Sequence, residues 1–136
     1  MPDTFQLEIV TPDKLVVDDR AEEMQIPGKN GYLGVLPGHA PLITELAVGE
    51  IRYRRGTTTE RLAVAWGFAE VLPEKVTILA QTAERAEEVD VARAERARER
   101  AEGRLKSADP TTDFPRAQTA LERAQARLDV AGKRPG

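Results

Sequence analysis

The sequence predicts an α+β protein in which an N-terminal all-β sandwich, or flattened barrel, precedes a C-terminal antiparallel two-helix hairpin. In the first part of the chain, short apolar segments alternate with turn residues at regular intervals, which is typical of such a sandwich. Near Ala83 the composition changes abruptly to Ala, Glu and Arg, and no proline follows until Pro110. Apolar residues then recur at helical spacing. We therefore predict a β-sandwich domain over residues 1–84 and a helical hairpin domain over 85–136.

The first strands are indicated by alternation. Phe5, Leu7 and Ile9 alternate with polar residues, which predicts a half-buried strand. Segments 15–17 and 24–26 repeat the pattern. The first run ends at Thr11-Pro12 and the run 24–26 ends at Pro27-Gly28, so these strands are short and are followed by turns.

The segment 28–44 is too rich in Gly and Pro for a helix and too apolar for a solvated linker. Asn30-Gly31 predicts a hairpin with a type I′ turn, whose two central residues take positive φ. Pro and Gly residues around His39, the only histidine, predict a rigid turn. Such a loop loses little entropy on docking, so it is a candidate partner surface. Its candidate contact residues are Tyr32, Leu33, Leu36, His39 and Leu42, with His39 interpreted first as a cap for backbone groups.

A long central strand is predicted next. Leu62, Val64 and Trp66 would lie on one face, and Ala63 and Ala65 on the other. A strand that is apolar on both faces is typical of the middle of a sandwich. The glycine that follows would let the chain bend. Further strands are predicted over 51–54, 68–72 and 76–80.

The first helix is predicted from Asp90, its N-cap, to about Lys106. At 100° per residue, an alanine stripe borders an arginine stripe, and glutamates occupy the far side. The alanine stripe also includes one leucine, and its members are Ala94, Ala97, Ala101 and Leu105. The arginine stripe comprises Arg93, Arg96, Arg100 and Arg104, and the glutamates are Glu95, Glu99 and Glu102.

A second helix is predicted to begin at Thr112 or Asp113, to tolerate Pro115 in its first turn and to end at Gly132. Its apolar seam comprises Phe114, Ala117, Leu121, Ala124, Leu128 and Ala131. Two such helices joined by a short turn form an antiparallel hairpin with little apolar surface of its own. The hairpin should need the sandwich, a ligand or another chain to hold it folded.

Composition excludes several function classes. The chain has one histidine and no cysteine, and it has no nucleophile-elbow or Walker A signature, so Ser/His, Cys/His and P-loop catalysis all lack parts. Disulfides are excluded, and His39 has no partner of the kind that a metal site needs. A net charge of -3 argues against nucleic acid as a partner. Because no apolar run of about 18 residues and no signal peptide are evident, we expect a soluble, unexported protein. Because the catalytic and metal constellations lack parts, we expect that it is not an enzyme on its own.

Three segments resemble a known family: GYLGVLPGHAPLIT at 31–44, AVGEIR at 47–52 and LAVAWGFAEVLPEKVTILA at 62–80. Together they resemble the epsilon subunit of the F-type ATP synthase, over essentially the whole chain. The resemblance implies a non-catalytic rotor subunit, peripheral to the cytoplasmic face of the cell membrane, whose sandwich joins the gamma subunit to the membrane ring. It also implies a hairpin that moves between a folded state and a state extended along gamma. The extended hairpin would reach the alpha and beta subunits and suppress ATP hydrolysis. The family often carries an acidic residue at the position of Tyr32.

The arginine stripe is the second candidate site. Its arginines repel one another unless an anion or an acidic surface lies across them, or unless the neighbouring glutamates pair with them as on an ordinary solvated face. The segment Val89–Ala94 resembles the (I/L/V)DxxRA motif by which some bacterial epsilon subunits bind ATP. The positions that match this pattern are Glu84, Val89, Asp90, Arg93, Ala94, Arg100, Arg123 and Arg127.

The resemblance assigns these residues separate roles, with ATP as a regulatory ligand and no required cofactor. Arg93 and Arg100 would face the phosphates, Asp90 and Glu84 would accept hydrogen bonds from ribose or adenine, and Val89 and Ala94 would pack on the base. Two of the matching arginines, Arg123 and Arg127, lie roughly 90° or more from the apolar seam of their helix. Their convergence on one ligand with the first helix does not follow from the sequence.

Two other interpretations remain open. A free-standing β-sandwich binding module could dimerise through the seam over 114–131, whereas the rotor interpretation expects a monomeric isolated chain. The second of these interpretations is a pure assembly factor with inert helices.

Overall fold

The computed structural model describes residues 3–133, and it places eight strands before two helices. The strands are β1 (Phe5–Val10), β2 (Leu15–Ala21), β3 (Glu23–Gly28), β4 (Gly31–Val35), β5 (Leu42–Leu46), β6 (Gly49–Arg55), β7 (Thr58–Val71) and β8 (Lys75–Arg85). A short 3-10 helix, Ala86–Glu88, leads to α1 (Val91–Leu105) and α2 (Phe114–Gly132). Residues 1–2 and 134–136, at the outer ends of the two predicted domains, lie outside the described residues.

The sheet folds back on itself because its longest strand changes partner along its length. The first half of β7 pairs with β6 and the second half with β5, while β8 runs along its other edge. The strand order is β2-β1-β8-β7-β5-β3-β4, and β6 bridges β3 and β7. All of these pairs are antiparallel except β1 with β8. The predicted sandwich followed by a two-helix hairpin is confirmed.

Aliphatic side chains from both layers fill the sandwich. The largest of them, including Leu7, Ile51 and Leu62, are fully buried. Tyr53 is also buried, and its hydroxyl donates a 3.2 Å hydrogen bond to Asp19 Oδ2. Burial raises the pKa of Tyr53 to about 12, and the nearby Asp19 carboxylate acts in the same direction.

The predicted hairpin at Asn30-Gly31 is present, but its turn type was wrong. Gly28 pairs with Gly31, so the two turn residues are Lys29 and Asn30. Gly31 has φ 128°, whereas Asn30 does not take the positive φ that a type I′ turn centred on Asn30-Gly31 requires. The Lys29 N–H donates to the carbonyl oxygen of Glu45 at 3.0 Å. This contact from β5 holds the chain at the position where the turn begins, one residue earlier than predicted.

The placement of Trp66 beside Leu62 and Val64 in the core was also wrong. Leu62 and Val64 are buried as predicted, but Trp66 is 37% exposed. Pairing of β7 with β8 is interrupted at Trp66, which has φ 53°. Gly67 follows with φ 120°, and a Cβ there would clash with the carbonyl group of Leu79. The close approach of the two backbones therefore kinks β7 and turns the indole out of the core.

Both helices begin as predicted. Asp90 Oδ1 accepts a hydrogen bond from the Arg93 N–H at 3.1 Å, and Asp113 Oδ1 accepts one from the Arg116 N–H at 3.0 Å. Pro115 lies in the first turn of α2. Each aspartate therefore satisfies a backbone donor that the first helical turn leaves free.

The second helix has two buried faces, and the sequence pattern predicted only one. Ala117 and Ala124 of the predicted seam are buried, but Phe114 is 44% exposed. Ala126 and Val130 are buried on another face, because α2 packs against β7 and β6 as well as against α1. The hairpin therefore attaches to the sandwich mainly through α2.

Candidate functional site

A cleft of about 460 Å³ lies between the hairpin and the sandwich. We call it the arginine cleft, because four arginines line it together with one carboxylate and several alanines. Its charged residues are Glu84, Arg93, Arg100, Arg123 and Arg127. All five belong to the set predicted from the sequence.

Three elements supply these charges. Arg93 and Arg100 are seven residues apart on α1, so about two helical turns place them on the same face. Arg123 and Arg127 are one turn apart on α2, and Glu84 lies on β8. Because α2 packs on both α1 and β7, Arg123 and Arg127 of α2 face the space between α1 and the sheet. This packing explains how the arginines of α2 converge with those of α1, which the helical wheel did not predict.

The two arginines of α2 already have partners on the sandwich. Arg127 Nε lies 2.7 Å from Glu84 Oε1, and Nη2 donates to Glu84 Oε2 at 3.3 Å. The buried Nε is poorly aligned for a hydrogen bond, so its contact with Oε1 is electrostatic. Arg123 Cζ lies 5.4 Å from the centroid of the Trp66 ring, within the range of a cation–π contact.

The two arginines of α1 that line the cleft have no carboxylate partner among the described residues. Within residues 3–133, neither Arg93 nor Arg100 forms an ion pair, and the α1 glutamates pair only through Arg98 and Glu102, 3.9 Å apart. The neighbouring glutamates therefore do not neutralise the stripe. With Glu84 as its one carboxylate, the cleft carries an excess of positive charge that suits a polyanion.

The remaining three predicted ligand residues lie beside the cleft and do not line it. Val89 and Ala94 are buried, at 4% and 0% exposure. Asp90 Oδ1 is engaged as the N-cap of α1. In this arrangement these residues position the first turn of α1, from which Arg93 projects.

The predicted partner loop at the end of the sandwich is largely exposed. Tyr32, Leu36 and Leu42 are 56%, 60% and 38% exposed, whereas Leu33 packs against the core. The Tyr32 hydroxyl accepts a hydrogen bond from the Glu50 N–H at 3.2 Å. Leu36 and Leu42 are therefore available to a partner, whereas Tyr32 borders a groove that it shares with α2.

The histidine of this loop makes local backbone contacts. His39 Nδ1 lies 2.7 Å from the carbonyl oxygen of Ala40, which can only accept a hydrogen bond. The His39 N–H donates to the carbonyl oxygen of Leu36 at 3.1 Å. These contacts agree with its interpretation as a backbone cap.

Sequence reasoning missed a second exposed apolar surface, which we call the outer apolar patch. It comprises Ile43, Phe68 and Leu79, which are 70%, 53% and 53% exposed. Phe68 pairs with Leu79 across β7 and β8, and Ile43 lies on the neighbouring β5. Apolar residues on both faces of 76–80 were the available signal. The kink at Trp66 and Gly67 shifts the alternation of β7, so that Phe68 points outward beside Leu79.

Neither helix in the described part of the chain has the length and apolar character needed to span a bilayer. The same residues contain no group of three or more His, Asp or Glu side chains that could hold a metal ion.

Comparison with protein families matches both domains. Residues 4–86 match the model described as ATP synthase, Delta/Epsilon chain, beta-sandwich domain. Residues 87–132 match the model described as ATP synthase, Delta/Epsilon chain, long alpha-helix domain. The two models meet near the end of β8.

Individual relatives agree. The ATP synthase epsilon chain of Koribacter versatilis is 71% identical over 110 residues, covering 81% of this chain and 78% of the relative. That of Bacillus subtilis is 52% identical over 130 residues, covering 96% of this chain and 98% of the relative.

Among solved structures, a chain of the Euglena gracilis mitochondrial ATP synthase, solved as OSCP/F1/c-ring, aligns with a TM-score of 0.82 at 25% identity. It covers 96% of this chain and 82% of that chain. A chain from the Tetrahymena thermophila mitochondrial ATP synthase central stalk/c-ring has a TM-score of 0.64 at 12% identity, covering 93% of this chain and 96% of that chain. The second likeness shows the fold alone.

These matches bear out the predicted family. They also support the expectation that the chain has no catalytic activity of its own, because the relatives are structural subunits of the membrane-associated synthase. The interpretation as a free-standing module is set aside, and the interpretation with inert helices stays an alternative. With both domains matched and relatives aligned over nearly its full length, this chain belongs to the family of ATP synthase epsilon chains.

Proposed function

We propose that this chain joins the gamma subunit to the membrane ring at the cytoplasmic face of the cell membrane, and that its hairpin regulates ATP hydrolysis with ATP as ligand. Family membership supports the place in the central stalk. The observation that carries the regulatory part is the arginine cleft, where Arg93 and Arg100 have no ion-pair partner within residues 3–133. The isolated chain is proposed to be monomeric, because the alanine seam of α2 is covered by α1.

The cleft has the size and charge that a nucleoside triphosphate needs. Its volume of about 460 Å³ falls within the usual range for small-molecule sites. Guanidinium groups bind phosphate oxygens through charge-assisted hydrogen bonds, and Arg93 and Arg100 are available for them. Glu84 supplies an acceptor for a ribose hydroxyl or an amino group if Arg127 moves toward the phosphates.

Binding in this cleft would act on the hairpin through mass action. Residues from α1, α2 and β8 meet only when the hairpin is packed on the sandwich. ATP would therefore bind the compact state and not the extended one, and it would shift the population toward the compact state.

In the extended state, the same arginines would be free for acidic surfaces of the alpha and beta subunits. The hairpin would then lie beside gamma and suppress hydrolysis. Arg93, Arg100, Arg123 and Arg127 would thus serve two alternative sets of contacts, and the ATP concentration would select between them.

Calorimetric titration of ATP, GTP and pyrophosphate into the full chain, at low and moderate salt, tests the ligand. Replacing Arg93 by Ala should weaken ATP binding by roughly 10- to 150-fold, because it removes a charge-assisted contact worth roughly 1.5–3 kcal/mol. The matched control is Arg96→Ala, which removes an exposed arginine of the same helix that does not line the cleft. The Asp90→Ala variant should also bind less tightly, with helicity monitored because its cap is lost.

A solvated charged face gives a different result. It would bind every polyanion weakly and equally, lose them all as salt rises and respond alike to Arg93→Ala and Arg96→Ala. That result would remove ATP from the proposal and leave the hairpin as a partner-binding element.

The proposed contact with gamma and the ring uses the exposed loop residues and the outer apolar patch. Leu36→Asp and Phe68→Asp should each weaken pull-down of these partners, because an unpaired charge in a desolvated interface costs several kcal/mol. Val91→Asp is the control, since Val91 is an apolar residue, 38% exposed, at the start of α1. Unchanged pull-down by both sandwich variants would contradict this part of the proposal. Sedimentation of the isolated chain as a dimer would contradict the proposed monomer.

A further inference from the structure

Trp66, the only tryptophan of the chain, occupies a position that favours glycine. Its φ is 53°, and it is the only non-glycine residue within 3–133 with positive φ. Bulky side chains rarely adopt this left-handed conformation, because the Cβ crowds the backbone. Burial does not by itself explain the choice, since 37% of the residue stays exposed.

The indole instead contacts the hairpin. Arg123 of α2 places its Cζ 5.4 Å from the centroid of the Trp66 ring. Tryptophan is the aromatic side chain that attracts a guanidinium most strongly. The contact joins the sandwich to α2, and so do the ion pairs of Arg127 with Glu84 and of Lys133 with Glu50.

We propose that Trp66 is a docking residue for the hairpin. Its ring holds the Arg123 guanidinium and so biases the chain toward the compact state. The interaction is lost whenever α2 leaves the sandwich. The left-handed backbone at Trp66 turns the indole out of the core and makes it available to α2. This role requires no nucleotide, so it stands apart from ATP binding.

The role predicts different effects of Trp66→Gly on the sandwich and on the hairpin. Glycine adopts φ near 53° without strain, which offsets part of the apolar burial lost with the indole, so the thermal transition of the sandwich should change little. Loss of the ring should raise the opening equilibrium of the hairpin about 2- to 5-fold, as expected for a partly exposed cation–π contact. A tryptophan that served only to pack the sandwich would instead lower the sandwich transition.

Hydrogen exchange of the full chain without nucleotide measures both regions at once. Amides of α2 should exchange about 2- to 5-fold faster in Trp66→Gly and in Arg123→Gln, while amides of β1 remain unchanged. The double variant should exchange no faster than the single variants, because both remove the same contact. Arg116→Gln is the matched control, since Arg116 is an exposed arginine of the same helix outside this contact.

Unchanged α2 exchange in Arg123→Gln, or additive effects in the double variant, would overturn the proposal. If Trp66→Gly fails to fold, the comparison of Arg123→Gln with Arg116→Gln decides the matter. The emission of Trp66 supplies a second readout there, because it should change in Arg123→Gln and not in Arg116→Gln.

Discussion

The β-sandwich and the helical hairpin of this chain bury different kinds of side chain. The sandwich core consists of large residues such as Phe5, Ile9 and Leu62, each at most 1% exposed. The contact between the two helices is made largely by alanines, such as Ala94 and Ala124. Fully burying a large apolar side chain contributes roughly 1.5–3 kcal/mol, whereas a single methylene-sized group contributes about 0.8 kcal/mol. The difference indicates that the sandwich holds itself together and the hairpin depends on what it is packed against.

The attachments between the two regions have the same character. Val130 packs against Ala63 and Ala86, and Ala126 is buried on the same face of α2, whereas the polar links include two ion pairs and one cation–π contact. Such links are worth little individually and weaken as salt rises. We therefore expect that α2 leaves the sandwich without unfolding it.

Dividing the chain is the most severe test of this comparison. Residues 1–84 should retain a cooperative thermal transition, whereas a peptide of residues 87–133 should lose most of its helicity. Circular dichroism measures both. The fragment 1–89 is a useful control, because it restores the Arg85 Nη2 hydrogen bond to the carbonyl oxygen of Val16. We also expect the fragment 1–84 to assemble with gamma and ATP hydrolysis by the reconstituted enzyme to rise. A soluble sandwich without a cooperative transition would reverse the comparison.

A pair of glycine substitutions gives the next largest contrast. Gly67→Ala should destabilise the sandwich by more than about 4 kcal/mol, because the added Cβ would clash with the carbonyl group of Leu79 at φ 120°. Gly103→Ala in α1 meets no atom within 4 Å and should stabilise that helix by roughly 1 kcal/mol. Urea unfolding followed by circular dichroism separates the two. If Gly67→Ala does not destabilise the sandwich, the close approach of the two backbones at Gly67 relaxes easily.

Alkaline pH should weaken the sandwich specifically. The folded pKa of Tyr53, about 12, lies above its ordinary value of 10.0, so the folded state favours the neutral phenol. The corresponding stabilisation is fully present below pH 10 and is lost as pH rises from 10 through about 12. Free energies of unfolding from urea titrations over this range should fall more steeply in the parent than in Tyr53→Phe. Parallel slopes would mean that the phenol ionises without cost in the folded state.

The smallest effect is expected at the ion pair between the two regions. Glu84→Gln should weaken the docking of α2 on the sandwich by roughly 1–2 kcal/mol. The effect is small because the Arg127 guanidinium still faces a neutral amide in place of the carboxylate. Hydrogen exchange should then accelerate in α2 and not in β1. Glu122→Gln is the control, since among residues 3–133 that carboxylate accepts only from Gln118 of its own helix. Faster exchange in both regions would show that the hairpin and the sandwich unfold together.

Local patterns predicted most of the fold. Alternation identified the strands, and the aspartate caps located the first turns of both helices. These features depend on neighbours within a few residues, which sequence spacing shows directly. The charge of the candidate site was likewise visible in the arginine stripe. The domain boundary at residue 84 and the roles of the ligand residues stay predictions.

Long-range packing decided the rest. The second buried face of α2, at Ala126 and Val130, exists because β7 lies beside it, and no helical period contains that information. The same packing turns Arg123 and Arg127 toward Arg93 and Arg100, and the backbone contact at Gly67 turns Trp66 outward. By itself, the sequence determined the elements, their caps and the charge of each helix face, because those follow from neighbours along the chain. Only the tertiary structure decided which faces meet, because that depends on residues distant in sequence competing for the same surface.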